Sequence, residues 1–567
     1  MEDGSRDRSP RQSGDDRFPT RAGRSDTRRA DRADARHGGE PDTQPGDESD
    51  SRHGSGSDRR HGKGSDTQHE YGPDPRHSDG PEAGEGGFET RSVHAGATPD
   101  PATGARATPI YQTTSYAFES AENAAERYAL ERDDHVYSRI SNPTVETLEE
   151  RLASLEGGTG AVATASGMAA LDSLVLLLAK PGENVVCSTD TYGGTTAYFS
   201  KTASRRGIET RFVPTLEYEE YDAAIDEETA FVHVETIGNP SLVTPDFERL
   251  ADLAGENGVP LVVDNTFATP ALCRPLDHGA DVVWESTTKW LHGAGTTVGG
   301  VVVDGGTFPW AEEGYEEIGG SSPAYPDVDF SEDFADAPLA AALRYRSVRS
   351  LGNGQSPFDA FQTLQGVESL SLRMEKHCAN ASAVATYLDG HEAVSWVAYP
   401  GLDSHPTHEN ARRYLEDYGG MIAFGLEGFD GSGANPSSRE TGSRAGYEAG
   451  RRFCESVELA SFLANVGDAK TLVIHPASTT HGQLTPEERE AAGVTEDLVR
   501  LSVGLEDPED VIADVKTAIR SATQDETEES TRGKSETDES TRGKSETTNA
   551  RPVESEASAR TGPEVEP

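Results

Sequence analysis

A lysine just past one strand, an aspartate at the end of another and a glycine-led helix start ahead of both form a set able to hold a planar, phosphorylated cofactor. Lys289 lies in Ser286-Thr287-Thr288-Lys289, which follows the strand-like run Asp281-Val282-Val283-Trp284. Asp264 closes Pro260-Leu261-Val262-Val263, and Glu235 and Asn239 follow Phe231-Val232-His233-Val234. Ligands of open α/β sheets gather at the carboxyl ends of strands, so all three places are candidate site positions. A lysine amine forms an imine with an aldehyde, and a carboxylate beside a pyridine nitrogen keeps that ring protonated as an electron sink. A phosphate needs N–H groups at a helix start and hydroxyls nearby. Ser166-Gly167-Met168 opens a helix, Gly167 lets the backbone approach closely, and Ser286 and Thr288 put hydroxyls beside Lys289. This is the chemistry of pyridoxal 5′-phosphate. Alone, each residue has a plain reading: Asp264 as a turn or cap, Lys289 as a surface lysine, Ser-Gly as an ordinary helix start. The ordered set is rare: a phosphate helix, then Asp264, then Ser-x-Thr-Lys ending 25 residues later.

These residues need an α/β scaffold, and the pattern supplies one. Asn142-Pro143 predicts an N-capped helix with Val145, Leu148, Leu152 and Leu155 on one face and Gly157-Gly158 as its stop. A second helix is expected from about Ser166 to Pro181-Gly182. Short apolar runs at 184–186, 231–234, 261–263 and 281–284 predict a mostly parallel sheet. From roughly 351 longer helices and then later strands predict a second, smaller domain ending near 520.

Composition bounds the rest. Of 567 residues, 34% are hydrophobic, and the shortage is concentrated at the ends. Residues 1–86 read as a disordered polar leader and 521–567 as a disordered acidic tail. The tail repeats ESTRGKSET at 529–537 and 539–547, but Glu528 and Asp538 stand where a phosphate-binding P-loop needs glycine, so nucleotide binding is excluded there. Of the net charge of -49, the two ends carry only -5 and -6, leaving -38 on the body. So acidic a body speaks against nucleic-acid or anionic-membrane partners and resembles proteins of salt-loving organisms. Cys187, Cys273, Cys378 and Cys454 are far apart, with neither metal-ligand nor disulfide spacing. No apolar leader or long apolar run is present, so the expected location is cytoplasmic.

Seven stretches in order then resemble the Cys/Met-metabolism PLP enzymes: TRSVHAG at 90–96, YSRISNPT at 137–144, ASGMAA at 165–170, YGGT at 192–195, VDNTF at 263–267, STTKWLHG at 286–293 and HPASTTH at 475–481. The resemblance covers essentially all of 88–520. It implies the aspartate-aminotransferase-like type I fold of PLP-dependent transferases: an arm over 87–150 that contacts a neighbouring subunit, a large cofactor domain over 151–350 and a small C-terminal α/β domain over 351–520. It further implies that Lys289 carries the cofactor as a Schiff base and that Asp264 pairs with the ring nitrogen. Gly167, Met168, Ser286 and Thr288 would hold the phosphate, with Tyr137 and Arg139 reaching that of the neighbouring subunit. Tyr192 would stack on the ring and assist proton transfer. Arg500 would clamp the substrate carboxylate, a bidentate task suited to a planar guanidinium, with Thr471 and Asn239 as further substrate contacts.

Within the family, 356–381, 394–406 and 463–490, with the extended segment around Pro323–Leu351, look most like O-acetylhomoserine sulfhydrylases. The implied reaction is γ-replacement of acetate by sulfide or methanethiol, in a homotetramer with shared active sites. The alternatives are O-succinylhomoserine sulfhydrylase, cystathionine γ-synthase or γ-lyase chemistry on the same scaffold, and, more remotely, a non-catalytic scaffold protein.

Overall fold

Short runs rich in valine build the first sheet. Its strands are β1 (Gly160–Thr164), β2 (Asn184–Ser188), β3 (Glu209–Val213), β4 (Thr229–Glu235), β5 (Leu261–Asp264), β6 (Val282–Glu285) and β7 (Gly300–Asp304), in the order β1-β7-β6-β5-β4-β2-β3. β7 runs antiparallel to both neighbours, and β3, β2, β4, β5 and β6 pair in parallel. Val232, Val234 and Val263 enter one apolar cluster, while Phe231, Val262 and Trp284 enter another. The sheet is therefore covered on both faces, which is why its strands read as continuous apolar runs rather than alternating ones. This computed structural model describes residues 86–132, 134–320, 325–427, 444–482, 485, 489 and 493–523. Apart from their innermost residues, the polar leader and acidic tail lie outside the described residues.

Local chemistry sets the helix ends. The Asn142 side chain accepts the Thr144 N–H at 3.0 Å and starts the helix Pro143–Glu156, and Gly157, at φ 82°, stops it. Val145, Leu148, Leu152 and Leu155 are all buried on it. This helix runs through the expected boundary at 150. The Ser166 hydroxyl accepts the Ala169 N–H at 3.1 Å and starts the helix Gly167–Leu178. It ends before the expected stop at Pro181, because a proline disfavours helical backbone at the residue ahead of it and Ala179 is already extended. The strand expected at 281–284 lies one residue later. Asp281 instead accepts the Leu261 N–H at 2.9 Å, and Glu285 joins the strand.

The second sheet contains β8 (Val394–Ala398), β9 (Met421–Leu426), β10 (Ser461–Phe462), β11 (Leu472–Ile474) and β12 (Leu498–Ser502), in the order β10-β11-β12-β9-β8. Ile422, Phe424, Val499 and Leu501 pack with Val384 and Leu388 of the helix Leu370–Asp389 and with Val515 and Ile519 of the helix Pro508–Thr523. Because side chains alternate along a strand, burying Val499 and Leu501 turns Arg500 toward the opposite face. The four cysteines are free and buried. No described helix is long and apolar enough to cross a membrane.

Candidate active site

The carboxyl ends of β1, β4, β5 and β6 open on one edge of the first sheet, and each delivers one part of the site. After β1, Ser166-Gly167 begins a helix whose first N–H groups have no partner within it. A Cβ on Gly167 would stand 2.8 Å from the Ser286 Cβ, so only glycine lets this helix start meet the turn after β6. The Met168 side chain packs into the core, which leaves its backbone N–H as what it offers. The Ser286 N–H donates to the Thr266 hydroxyl at 2.9 Å. The Thr288 hydroxyl accepts the Gly299 N–H at 3.0 Å and lies 3.2 Å from the Gly299 carbonyl, tying the lysine turn to the start of β7.

Lys289 is largely withdrawn from water, and burial followed by the Arg500 cation lowers its pKa to about 8. Its Nζ donates to Asn465 Oδ1 at 2.6 Å. Sequence reasoning passed over Asn465, although it lies within the quoted stretch 463–490. What brings it in is Gly467, whose φ is 74°. A Cβ there would stand 2.6 Å from the Trp290 nitrogen and 2.9 Å from the Lys289 carbonyl carbon.

Asp264 and Glu235 end adjacent parallel strands in register. Burial pushes the Asp264 carboxyl up to about 6, opposed by donors from Thr266, whose N–H lies 2.9 Å away. Glu235 accepts the Tyr192 N–H at 2.6 Å, which favours its anion, yet burial and the neighbouring Asp264 push it well upward. Tyr192 itself presents a half-exposed ring above this edge.

Arg500 reaches the same place from β12 of the second sheet. Its Nη1 donates to Asn239 Oδ1 at 3.0 Å, and burial lowers its pKa to about 10. Among the described residues it has no carboxylate partner. A half-buried cation of this kind calls for an anion.

Two sequence expectations are placed differently. Thr471 is fully buried, its hydroxyl donates to Glu506 at 2.8 Å and its N–H donates to the same carboxylate at 2.7 Å. The hydroxyl also accepts the Gly504 N–H at 2.9 Å. Glu506 thus takes both Thr471 donors, a brace within the second sheet. Tyr137 and Arg139 are exposed: the Arg139 guanidinium lies 5.5 Å from the Tyr137 ring centre and donates to the Arg349 carbonyl. Neither bonds to the site of its own chain among the described residues.

The residues fit pyridoxal phosphate. The glycine-dependent contact between a helix start and a hydroxyl turn suits the phosphate. A buried acid on β5 and a buried, readily neutralised lysine after the adjacent β6 suit the two ends of the ring.

Comparison with known proteins agrees with this geometry. The profile of the family described as Cys/Met metabolism PLP-dependent enzyme matches residues 89–520. The homocysteine synthase of Schizosaccharomyces pombe is 46% identical over 439 residues, 77% of this chain and 98% of its own. The O-acetyl-L-homoserine sulfhydrylase 1 of Thermus thermophilus is 46% identical over 435 residues, 76% of this chain and 99% of its own. A crystal structure from Campylobacter jejuni, given the provisional name O-acetylhomoserine (thiol)-lyase and containing N′-pyridoxyl-lysine-5′-monophosphate, superposes with a TM-score of 0.71 at 35% identity. It covers 77% of this chain and all of that one. With a family profile spanning the body of the chain and relatives matched over nearly their whole length, the protein belongs to the Cys/Met metabolism PLP-dependent enzymes.

Proposed function

We propose that the protein is an O-acetyl-L-homoserine sulfhydrylase: it replaces the acetate on the γ-carbon with sulfide, giving homocysteine and acetate, and accepts methanethiol to give methionine. The observation that carries the reading is Arg500, a half-buried guanidinium without an acid partner among the described residues, on the same site edge as Lys289. That arrangement suits an α-amino acid whose carboxylate is gripped while its amine meets the cofactor. The relatives named homocysteine synthase and O-acetyl-L-homoserine sulfhydrylase support the choice within the family.

Bound pyridoxal phosphate supplies the aldehyde carbon to which the substrate amine attaches and a ring that accepts the electron pair left at Cα. Lys289, lowered to about 8, holds the proton taken from Cα and returns it there at the end. Asp264 would pair with the ring nitrogen as the anion. Gly167 and Met168 N–H groups and the Ser286 hydroxyl would hold the phosphate, with Thr288 bracing the turn. Tyr192 would pack on the ring, and Arg500 with Asn239 would grip the substrate carboxylate. Tyr137 and Arg139 are exposed because they serve the site of a neighbouring subunit, in a homotetramer built from pairs of subunits. We place the enzyme in the cytoplasm.

Product analysis tests this: acetyl and succinyl esters of homoserine are each supplied with sulfide or cysteine. Homocysteine formed fastest from the acetyl ester and sulfide is the expected outcome. Cystathionine as the main product, or a preference for the succinyl ester, would overturn it.

A further inference from the structure

Beneath Asp264 lies a pair of carboxyl groups for which the reaction has no direct use. Glu285 ends β6 and Glu156 ends the helix Pro143–Glu156, and both side chains are fully buried against each other. Glu156 accepts the Asn265 side-chain N–H at 2.8 Å. Asn265 also donates to the Cys273 carbonyl at 2.9 Å and accepts the Thr236 hydroxyl at 2.7 Å. No N–H or hydroxyl of another described residue reaches either oxygen of Glu285.

The charged groups facing the pair give it no cation to bind. Asp264 acts on Glu285, and Arg274 and Asp277 act on Glu156 from a distance. Arg274 is itself ion-paired with Asp277. Two carboxylates cannot stay in contact in a dry interior without a proton between them. Glu156 already accepts from Asn265, so the acid that donates is Glu285.

We propose that Glu285 is a neutral acid whose proton is shared with Glu156, and that this pair is a positioning device for the cofactor site. It completes a hydrogen-bonded path from Thr236 after β4, through Asn265 after β5, to Glu285 on β6. Asp264 precedes Asn265 and Ser286 follows Glu285, so the path fixes the strand ends that present Asp264 and Lys289. Its proton also spares Asp264 a second adjacent negative charge. Burial raises both acids, Glu156 to about 7. The positioning role rests on the cofactor reading above, but the shared proton does not.

Infrared spectroscopy of the cofactor-free protein at neutral pH reads that proton directly. The wild-type minus Glu285→Gln difference spectrum should show the C=O stretch of one buried carboxylic acid, since other raised acids such as Glu235 are common to both. Glu156→Gln should keep a shifted acid band, because burial and Asp264 still hold Glu285 neutral while its hydroxyl donates to the new amide oxygen. Glu285→Gln keeps a donor toward Glu156 and should bind pyridoxal phosphate within about threefold of wild type. Glu285→Ala leaves Glu156 short of a donor and should bind it about tenfold or more weakly. Unfolded glutamate ionises near pH 4.3, whereas folded Glu285 keeps its proton. Wild type should therefore lose stability relative to Glu285→Gln as pH rises above that value, a trend that mere packing would not give. An acid band unchanged in Glu285→Gln, or cofactor binding weakened as much by Gln as by Ala, would overturn the proposal. Cofactor retained covalently by Lys289→Ala would instead sink the cofactor reading and leave the band untouched.

Discussion

The Lys289 ammonium donates to Asn465 Oδ1 at 2.6 Å across a sequence separation of 176 residues. This bond joins the turn after β6 of the first sheet to the segment after β10 of the second. It sets the lysine on the same edge as Arg500 and Asp264. Asn465 is thus a positioning residue for the central amine.

Asn465→Ala removes an acceptor that favours the charged lysine. The Lys289 pKa in the cofactor-free protein should fall further below about 8, read from the pH dependence of pyridoxal phosphate attachment. Turnover should fall about tenfold as the amine loses its fixed direction. An unchanged pH profile and rate would remove Asn465 from the site.

Lys289 makes stability depend on pH in a definite direction. Its folded pKa of about 8 is below the ordinary 10.5, so between these values the unfolded chain binds more protons and stability rises with pH. Below pH 8 the buried ammonium is a full burden, on the order of 2–3 kcal/mol. Cofactor-free Lys289→Met should be more stable than wild type at pH 7, with the gap closing toward pH 10. A gap constant with pH would show that Lys289 is not perturbed.

Arg500→Ala should raise KM for O-acetylhomoserine about ten- to 150-fold, since a charge-assisted contact contributes roughly 1.5–3 kcal/mol. Cofactor content should not change. Arg500→Lys should recover only part of the loss, because an ammonium lacks the planar two-point contact. Wild-type KM in Arg500→Ala would mean that the carboxylate is held elsewhere.

Gly167→Ala sets a methyl group 2.8 Å from the Ser286 Cβ. The helix start must then back away from the hydroxyl turn, and pyridoxal phosphate should bind about tenfold or more weakly. Equilibrium titration of cofactor-free protein measures this, and unchanged affinity would place the phosphate elsewhere.

The body of the chain carries -38. At about 0.1 M salt, charges repel over roughly 10 Å, and near 1 M over about 3 Å. The thermal midpoint should therefore climb steeply with potassium chloride up to molar concentrations. A midpoint that is flat or falls with salt would refute the reading of a salt-dependent protein.

Much of this site is legible in the chain because its chemistry is local. Asn142-Pro143 caps a helix whichever sheet it later meets, and Ser166-Gly167 starts another by the same short-range bonds. Asp264 and Lys289 stand out because short apolar runs place them at strand ends. The tertiary structure alone decided what these residues meet. β7 turns antiparallel between β6 and β1, so the glycine-led helix start comes against Ser286, and pairing order leaves no mark in either segment. The fold gave the Thr471 hydroxyl to Glu506, while Asn465, with no local pattern of its own, reached Lys289. Glu156 looks like an ordinary helix-end acid and Glu285 like an ordinary strand residue. Only folding, by withdrawing water from both and setting them against each other, makes a pair of them.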